Sequence, residues 1–255
     1  MSIVASSGYW ERPASGAERE LLVCRWGRSG GTVAPATIVP DGCVDVVWAG
    51  GRLIFAAPDT RPVIANPSPE APVAGVRLRM WIAAPLFGVG LGDILNERVP
   101  FADIVPAAGD QLASRLLGCD SLAAAGLIAD WVLGLADRPL QVDRLVAHVG
   151  EAILASHGRV GVAALARSCG YSERHLSRRF TTTVGYGPKA YARIVRFQRA
   201  RRLVAGRRTP IEQIARRAGY TDHGHLTREF VALGGSPPSA IVSEISKTAR
   251  VGSQP

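Results

Sequence analysis

Two stretches of this 255-residue chain are near-copies, "GYSERHLSRRF" at 170–180 and "GYTDHGHLTREF" at 219–230. In each, a leucine and a phenylalanine stand four apart, at Leu176 and Phe180 and again at Leu226 and Phe230. That spacing stacks both side chains on one face of a helix. Upstream, Val162, Leu165 and Ala166, and then Ile211, Ile214 and Ala215, repeat the i, i+3, i+4 pattern of a short apolar helix face. Gly170 and Gly219 suit the left-handed residue that ends such a helix. Ser172 in the first copy, and Thr221 or Asp222 in the second, suit the N-cap of the next one. The second copy has one extra residue, expected near Gly224 in the capping turn or at the start of its second helix. A short helix, a glycine turn and a second helix with a polar outer face make a helix-turn-helix, here built twice.

Between the copies lies "PKAYARIVRFQRARRLV". Pro188 fits a first helical turn. Ala190, Ile194, Phe197, Ala200 and Val204 form one apolar stripe, with arginines on the other faces. This reads as one long helix that fixes the distance between the two units. Recognition helices that read one face of B-DNA stand about one helical turn, roughly 34 Å, apart.

Charge divides the chain in the same place. Residues 141–255 hold 19 Lys+Arg against 7 Asp+Glu, whereas residues 1–140 hold 11 against 14. A strongly basic half implies a polyanionic partner, with double-stranded DNA first among the candidates. Arginine forks can bond guanine O6 and N7 together, so Arg174, Arg178 and Arg228 are the expected base readers. Ser177, His223 and Thr227 are expected beside them. Arg179 and Arg196 are expected at phosphate or in solvent, and Cys169 in the core beside the first turn.

The basic half resembles the DNA-binding domain of the AraC/XylS family of bacterial transcription regulators. The resemblance spans about 142–246. It rests on the two Gly-to-Phe segments at their separation, with "VGYGP" after the first and "GGSPP" after the second. Ile241 departs from an aromatic position of the family, and Gly224 from a position that often carries a base-reading side chain. The resemblance implies a regulator whose N-terminal domain senses a small-molecule effector or mediates dimerisation. It also implies contact with RNA polymerase if the regulator is an activator. Two rival readings stand beside it: a repair or other enzyme with an appended DNA-binding domain, and an architectural protein whose arginines meet only phosphate.

The fold class expected is α+β in two domains. A β-rich domain with trailing helices occupies 1–138, two helix-turn-helix units joined by a long helix occupy 142–246, and 247–255 form a disordered tail. "ATIVPDGCVDVVWAGGRLIFAAP" and "APVAGVRLRMWIAA" read as strands, with Gly50-Gly51 turning a hairpin. Alternation puts Asp41, Cys43 and Asp45 on one strand face, opposite Val44, Val46 and Trp48. It likewise groups Arg77, Arg79 and Trp81. The acidic and basic sets then meet across a sheet, either as surface ion pairs or as a polar ligand pocket walled by Trp48 or Trp81. The helix expected at 121–136 is apolar enough to pack on the sheet or on a second copy of the chain. "ADRPL" at 136–140 reads as a linker.

No histidine occurs in 1–140, and the three cysteines there have no zinc spacing. No metal, cofactor or catalytic residue is therefore expected. With no signal peptide or membrane span evident, the expected location is the cytoplasm.

Overall fold

The computed structural model of the protein describes residues 8–29, 36–65, 71–106, 108–136, 139–206 and 209–240. Ile241 and the expected tail at 247–255 lie outside them. The strands are β1 (Tyr9–Pro13), β2 (Leu22–Arg28), β3 (Ala36–Ile38), β4 (Cys43–Ala49), β5 (Arg52–Ala56), β6 (Val63–Ala65), β7 (Val73–Arg79) and β8 (Arg98–Pro100). The helices of the first half are α1 (Met80–Phe87), α2 (Phe101–Ile104), α3 (Ala108–Leu116) and α4 (Ser121–Leu135). Those of the second are α5 (Arg144–Ala155), α6 (Val162–Ser168), α7 (Glu173–Val184), α8 (Pro188–Ala205), α9 (Ile211–Ala218) and α10 (His223–Gly234).

Six strands form an antiparallel sheet in the order β1-β2-β7-β4-β5-β8, and β3 pairs with β6 separately. Gly50 and Gly51 both have positive φ and close the β4–β5 hairpin, as a two-residue turn between twisted strands requires. Val44, Val46 and Trp48 share the buried face with Val76 and Leu78. Helix α4 covers that face over β2 and β7, burying Ala124, Ala125, Ile128, Ala129 and Val132. Its apolar side is thus spent on the sheet, the first of its two expected roles.

The strand expected through Ile82 stops at Arg79, and Met80–Phe87 is helical. "MWIAAPLF" is apolar throughout, so no alternation marks the change of period. Helix α1 turns away from the sheet toward the second half of the chain, where it packs on α5 and α7. Trp81 is 2% exposed and meets the Tyr191 ring edge-on at 6.0 Å. It also lies over Gly150, where a Cβ would sit 2.3 Å from the indole. The Tyr186 hydroxyl donates to Met80 Sδ at 3.3 Å, and Arg79 pairs with Glu151 at 2.7 Å. One continuous hydrophobic cluster therefore runs from the sheet into the helices of the second half.

Candidate nucleic-acid interface

Each unit is built the same way. Helix α6 ends in a Schellman turn: the Gly170 amide donates to Arg167 O and the Tyr171 amide to Ala166 O. Helix α9 repeats it, Gly219 to Arg216 O and Tyr220 to Ala215 O. Ser172 Oγ then caps α7 by accepting from the His175 amide at 3.2 Å, and Asp222 Oδ1 caps α10 by accepting from the His225 amide at 2.7 Å. Cap to phenylalanine is eight positions in both units. The extra residue of the second copy is therefore Thr221, between the Schellman tyrosine and the cap, in the capping turn and not in the second helix. The helices themselves stay in register.

Leu176, Phe180 and Val184 bury one face of α7, and Leu226, Phe230 and Leu233 that of α10. Burial of each leucine or phenylalanine stabilises its unit by about 1.5–3 kcal/mol. The opposite faces point to solvent. Arg174 and Arg178 are exposed on α7, with Ser177 half-buried beside them. His223 and Arg228 are exposed on α10, with Thr227 half-buried and its hydroxyl donating to His223 O at 2.9 Å. Ser177 matches Thr227 and Arg178 matches Arg228, position for position; Arg174 is matched by Gly224.

Three of these side chains are held in ways the pattern alone does not show. Arg179 is neither free nor poised for phosphate, because it pairs with Asp143 at 2.8 Å. Arg196 stacks over Tyr220, its guanidinium carbon 5.6 Å from the ring centre. Cys169, the C-cap of α6, packs against the edge of the core and is only partly buried.

In the N-terminal half, Arg77 Nε lies 3.2 Å from Asp41 and donates at 3.0 Å to Asp45 Oδ1, while its Nη2 donates to Asp45 Oδ2 at 3.2 Å. The acidic and basic strands do meet. Burial pushes the Asp45 carboxyl upward against the pull of Arg77. Burial, with Asp41 adding to it, pushes the Cys43 thiol well up, so Cys43 is not an activated nucleophile. The Cys24 thiol is pushed up to about 12, chiefly by burial.

Neither expected tryptophan walls this cluster. Trp48, 4% exposed, lies in the core on the other side of the sheet, and Trp81 sits against the second half. Arg79 is engaged there too, by Glu151. The aromatic residue that reaches the cluster from the polar face is Trp26, whose indole N–H donates to Asp45 Oδ1 at 3.3 Å. It lies across from Gly75, where a Cβ would come 2.9 Å from the indole. Alternation within "LVCRWGR" is the signal that pairs Trp26 with Cys24, but only the register with β7 brings it to Asp45.

Among the described residues no three His, Cys, Asp or Glu side chains gather as a metal site. No described helix is long and apolar enough to cross a membrane.

Residues 165–243 match the family described as a helix-turn-helix domain. No curated protein matches the chain. Among solved structures, a probable AraC family transcriptional regulator from Rhodopseudomonas palustris is 28% identical, over 40% of this chain and 98% of that one, with a TM-score of 0.38. The C-terminal domain of AraT, a response regulator from Geobacillus stearothermophilus, is 20% identical over 41% and 88%, with a TM-score of 0.39. ToxT from Vibrio cholerae aligns over 92% of this chain and 98% of its own at 11% identity and a TM-score of 0.46. Residues 165–243 are a helix-turn-helix domain, built here as two units.

Proposed function

We propose that the chain regulates transcription by placing α7 and α10 in successive major grooves of one DNA face, with Arg174, Arg178 and Arg228 reading bases. One observation carries this reading: Arg178 and Arg228 stand exposed at the same position of two helices whose opposite faces are locked by the same Leu/Phe pair. Ser177, Thr227 and His223 flank them within reach of base edges or phosphate. The test compares binding to a selected site and to random duplex. Arg178→Ala or Arg228→Ala costs about 1–3 kcal/mol on the selected site and much less on random DNA. Equal losses on both would mean that these arginines touch only phosphate, as in an architectural protein.

An effector acting on the N-terminal half completes the reading. The Asp41–Arg77–Asp45 cluster, with Trp26 beside it, is a polar and partly buried group on the sheet face away from α4. The loop that carries Asp41 reaches the DNA-binding half directly. Pro40 O accepts from Gln198 of α8, and a Cβ on Gly42 would lie 2.6 Å from the Tyr191 ring. A small molecule that draws Arg77 from Asp41 shifts this loop against the connector helix, and so shifts the population of DNA-competent arrangements. A metabolite screen by thermal shift, repeated on Arg77→Gln, checks it: stabilisation by a hit disappears in the variant. Self-association and contact with RNA polymerase belong to the same reading. Sedimentation with and without DNA measures the first, and pull-down of the polymerase the second.

A further inference from the structure

We propose that the cleft between the two helix-turn-helix units grips the DNA backbone midway between the recognition helices, through Arg159 and Arg196. The proposal rests on the DNA-binding reading and adds to it a contact that neither recognition helix makes. The ligand is a backbone phosphate of the duplex.

The cleft has a volume of about 460 Å³ and is lined by Arg159, Lys189, Arg196 and Gly219. Its two ends are informative. Lys189, in the first turn of α8, lies 2.7 Å from Glu173, the first residue of α7. Gly219 ends α9 directly before the turn that leads into α10. The cleft therefore runs between the N-terminal ends of both recognition helices, the ends that enter the major groove. With those ends in successive grooves on one face, the strand between them is the sugar-phosphate edge of the intervening minor groove.

The charge of the cleft fits that strand. Arg159 and Arg196, with Arg199, Arg202 and Arg217 around them, make no ion pair with a carboxylate among the described residues. Arg179 and Arg193, by contrast, are both paired. The crowding is felt locally. His157 is held below its ordinary value by burial and by Arg199, Arg202 and Arg159. Arg199 is lowered by burial and by Arg159, Arg202 and Arg217. Uncompensated like charges at this density repel, and a polyanion relieves them.

The site is also ordered in advance. Stacking on Tyr220 holds the Arg196 guanidinium, and its Nε is buried without a partner. Gly219, at φ +89°, leaves room for the Arg159 stem, whose Cγ would lie 2.9 Å from a Cβ there. A fork fixed in this way loses little side-chain entropy when it binds phosphate.

The test uses the full chain and a random-sequence duplex, with affinity followed by fluorescence anisotropy against salt. Each phosphate contact contributes about one to the slope of log K against log salt. Arg159→Gln and Arg196→Gln each lower that slope by about one, and the double variant weakens selected and random DNA alike by about tenfold or more. Arg115→Gln, at an exposed position of α3, leaves the slope unchanged. Arg196→Gln also removes packing on Tyr220, so its melting temperature is measured alongside; Arg159→Gln gives the result free of that effect. Folded variants that bind duplex with the wild-type slope would overturn the cleft alone. Wild-type protein that binds no duplex would overturn the DNA-binding reading and the cleft with it.

Discussion

Arg179 and Glu229 stand fifty positions apart, at the same place on α7 and α10, and carry opposite charges. Each is clamped from the same direction. Arg179 pairs with Asp143 at 2.8 Å, and Glu229 with Arg193 at 2.7 Å; Asp143 and Arg193 are themselves fifty apart. The chain thus repeats a three-helix unit, α5-α6-α7 and then α8-α9-α10, with the clamp charges exchanged. The long connector is the first helix of the second unit.

The two partners of one clamp are not equivalent. Arg179 is 39% exposed and does little else, so Arg179→Ala costs about 0.5–1 kcal/mol. Asp143 also accepts from the Leu145 and Val146 amides as the N-cap of α5. Asp143→Ala therefore loses cap and clamp together, about 1–3 kcal/mol in chemical denaturation. Equal losses in the two variants would contradict the double role.

This clamp was invisible in the sequence for a physical reason. The Leu/Phe pairs are legible because buried faces demand the same residue type in both copies. An ion pair demands only complementarity, so exchanging its charges keeps the contact and erases the likeness. The sheet was half legible on similar grounds. Alternation separated Asp45 from Val44 and Val46, but it could not show that Trp26, on another strand, lands beside Asp45. Trp81 was misplaced because an unbroken apolar run hides the change from strand to helix.

The shared core predicts that both halves unfold together. Calorimetry of the full chain gives one transition. Trp81→Ala, at the junction, costs about 3–5 kcal/mol and splits it into two. Two transitions already in wild-type protein would show that the junction contributes little.

Gly150→Ala tests the same junction in the opposite sense to helix propensity. Alanine at an exposed helical position gains about 1 kcal/mol over glycine. At position 150 the added Cβ would sit 2.3 Å from the Trp81 ring, so the variant melts lower than wild type. A higher melting temperature would place the indole elsewhere.

The cap of α10 sets an acid limit. Hydrogen bonding from the His225 amide, chiefly, holds the Asp222 carboxyl below its ordinary 3.8. A depressed carboxylate contributes stability that is present above about 3.8 and lost as pH falls through the folded value. Asp222→Asn caps without a titrating group, so its melting temperature declines less steeply than wild type below that pH. Parallel profiles would remove the cap from the acid response.

Gly224 stands where the first unit has Arg174. Gly224→Arg supplies the missing charge, and the salt slope on random duplex rises by about one. An unchanged slope would show that this position of α10 faces away from DNA.

The most direct test of two-helix reading is selection of bound sites from a random duplex pool by the full-length chain. Two conserved base clusters are expected, centred about 10 base pairs apart. Repeating the selection with Arg178→Ala erases one cluster, and with Arg228→Ala the other. No enrichment, or a single cluster that both variants erase together, would contradict a regulator that reads one DNA face with α7 and α10.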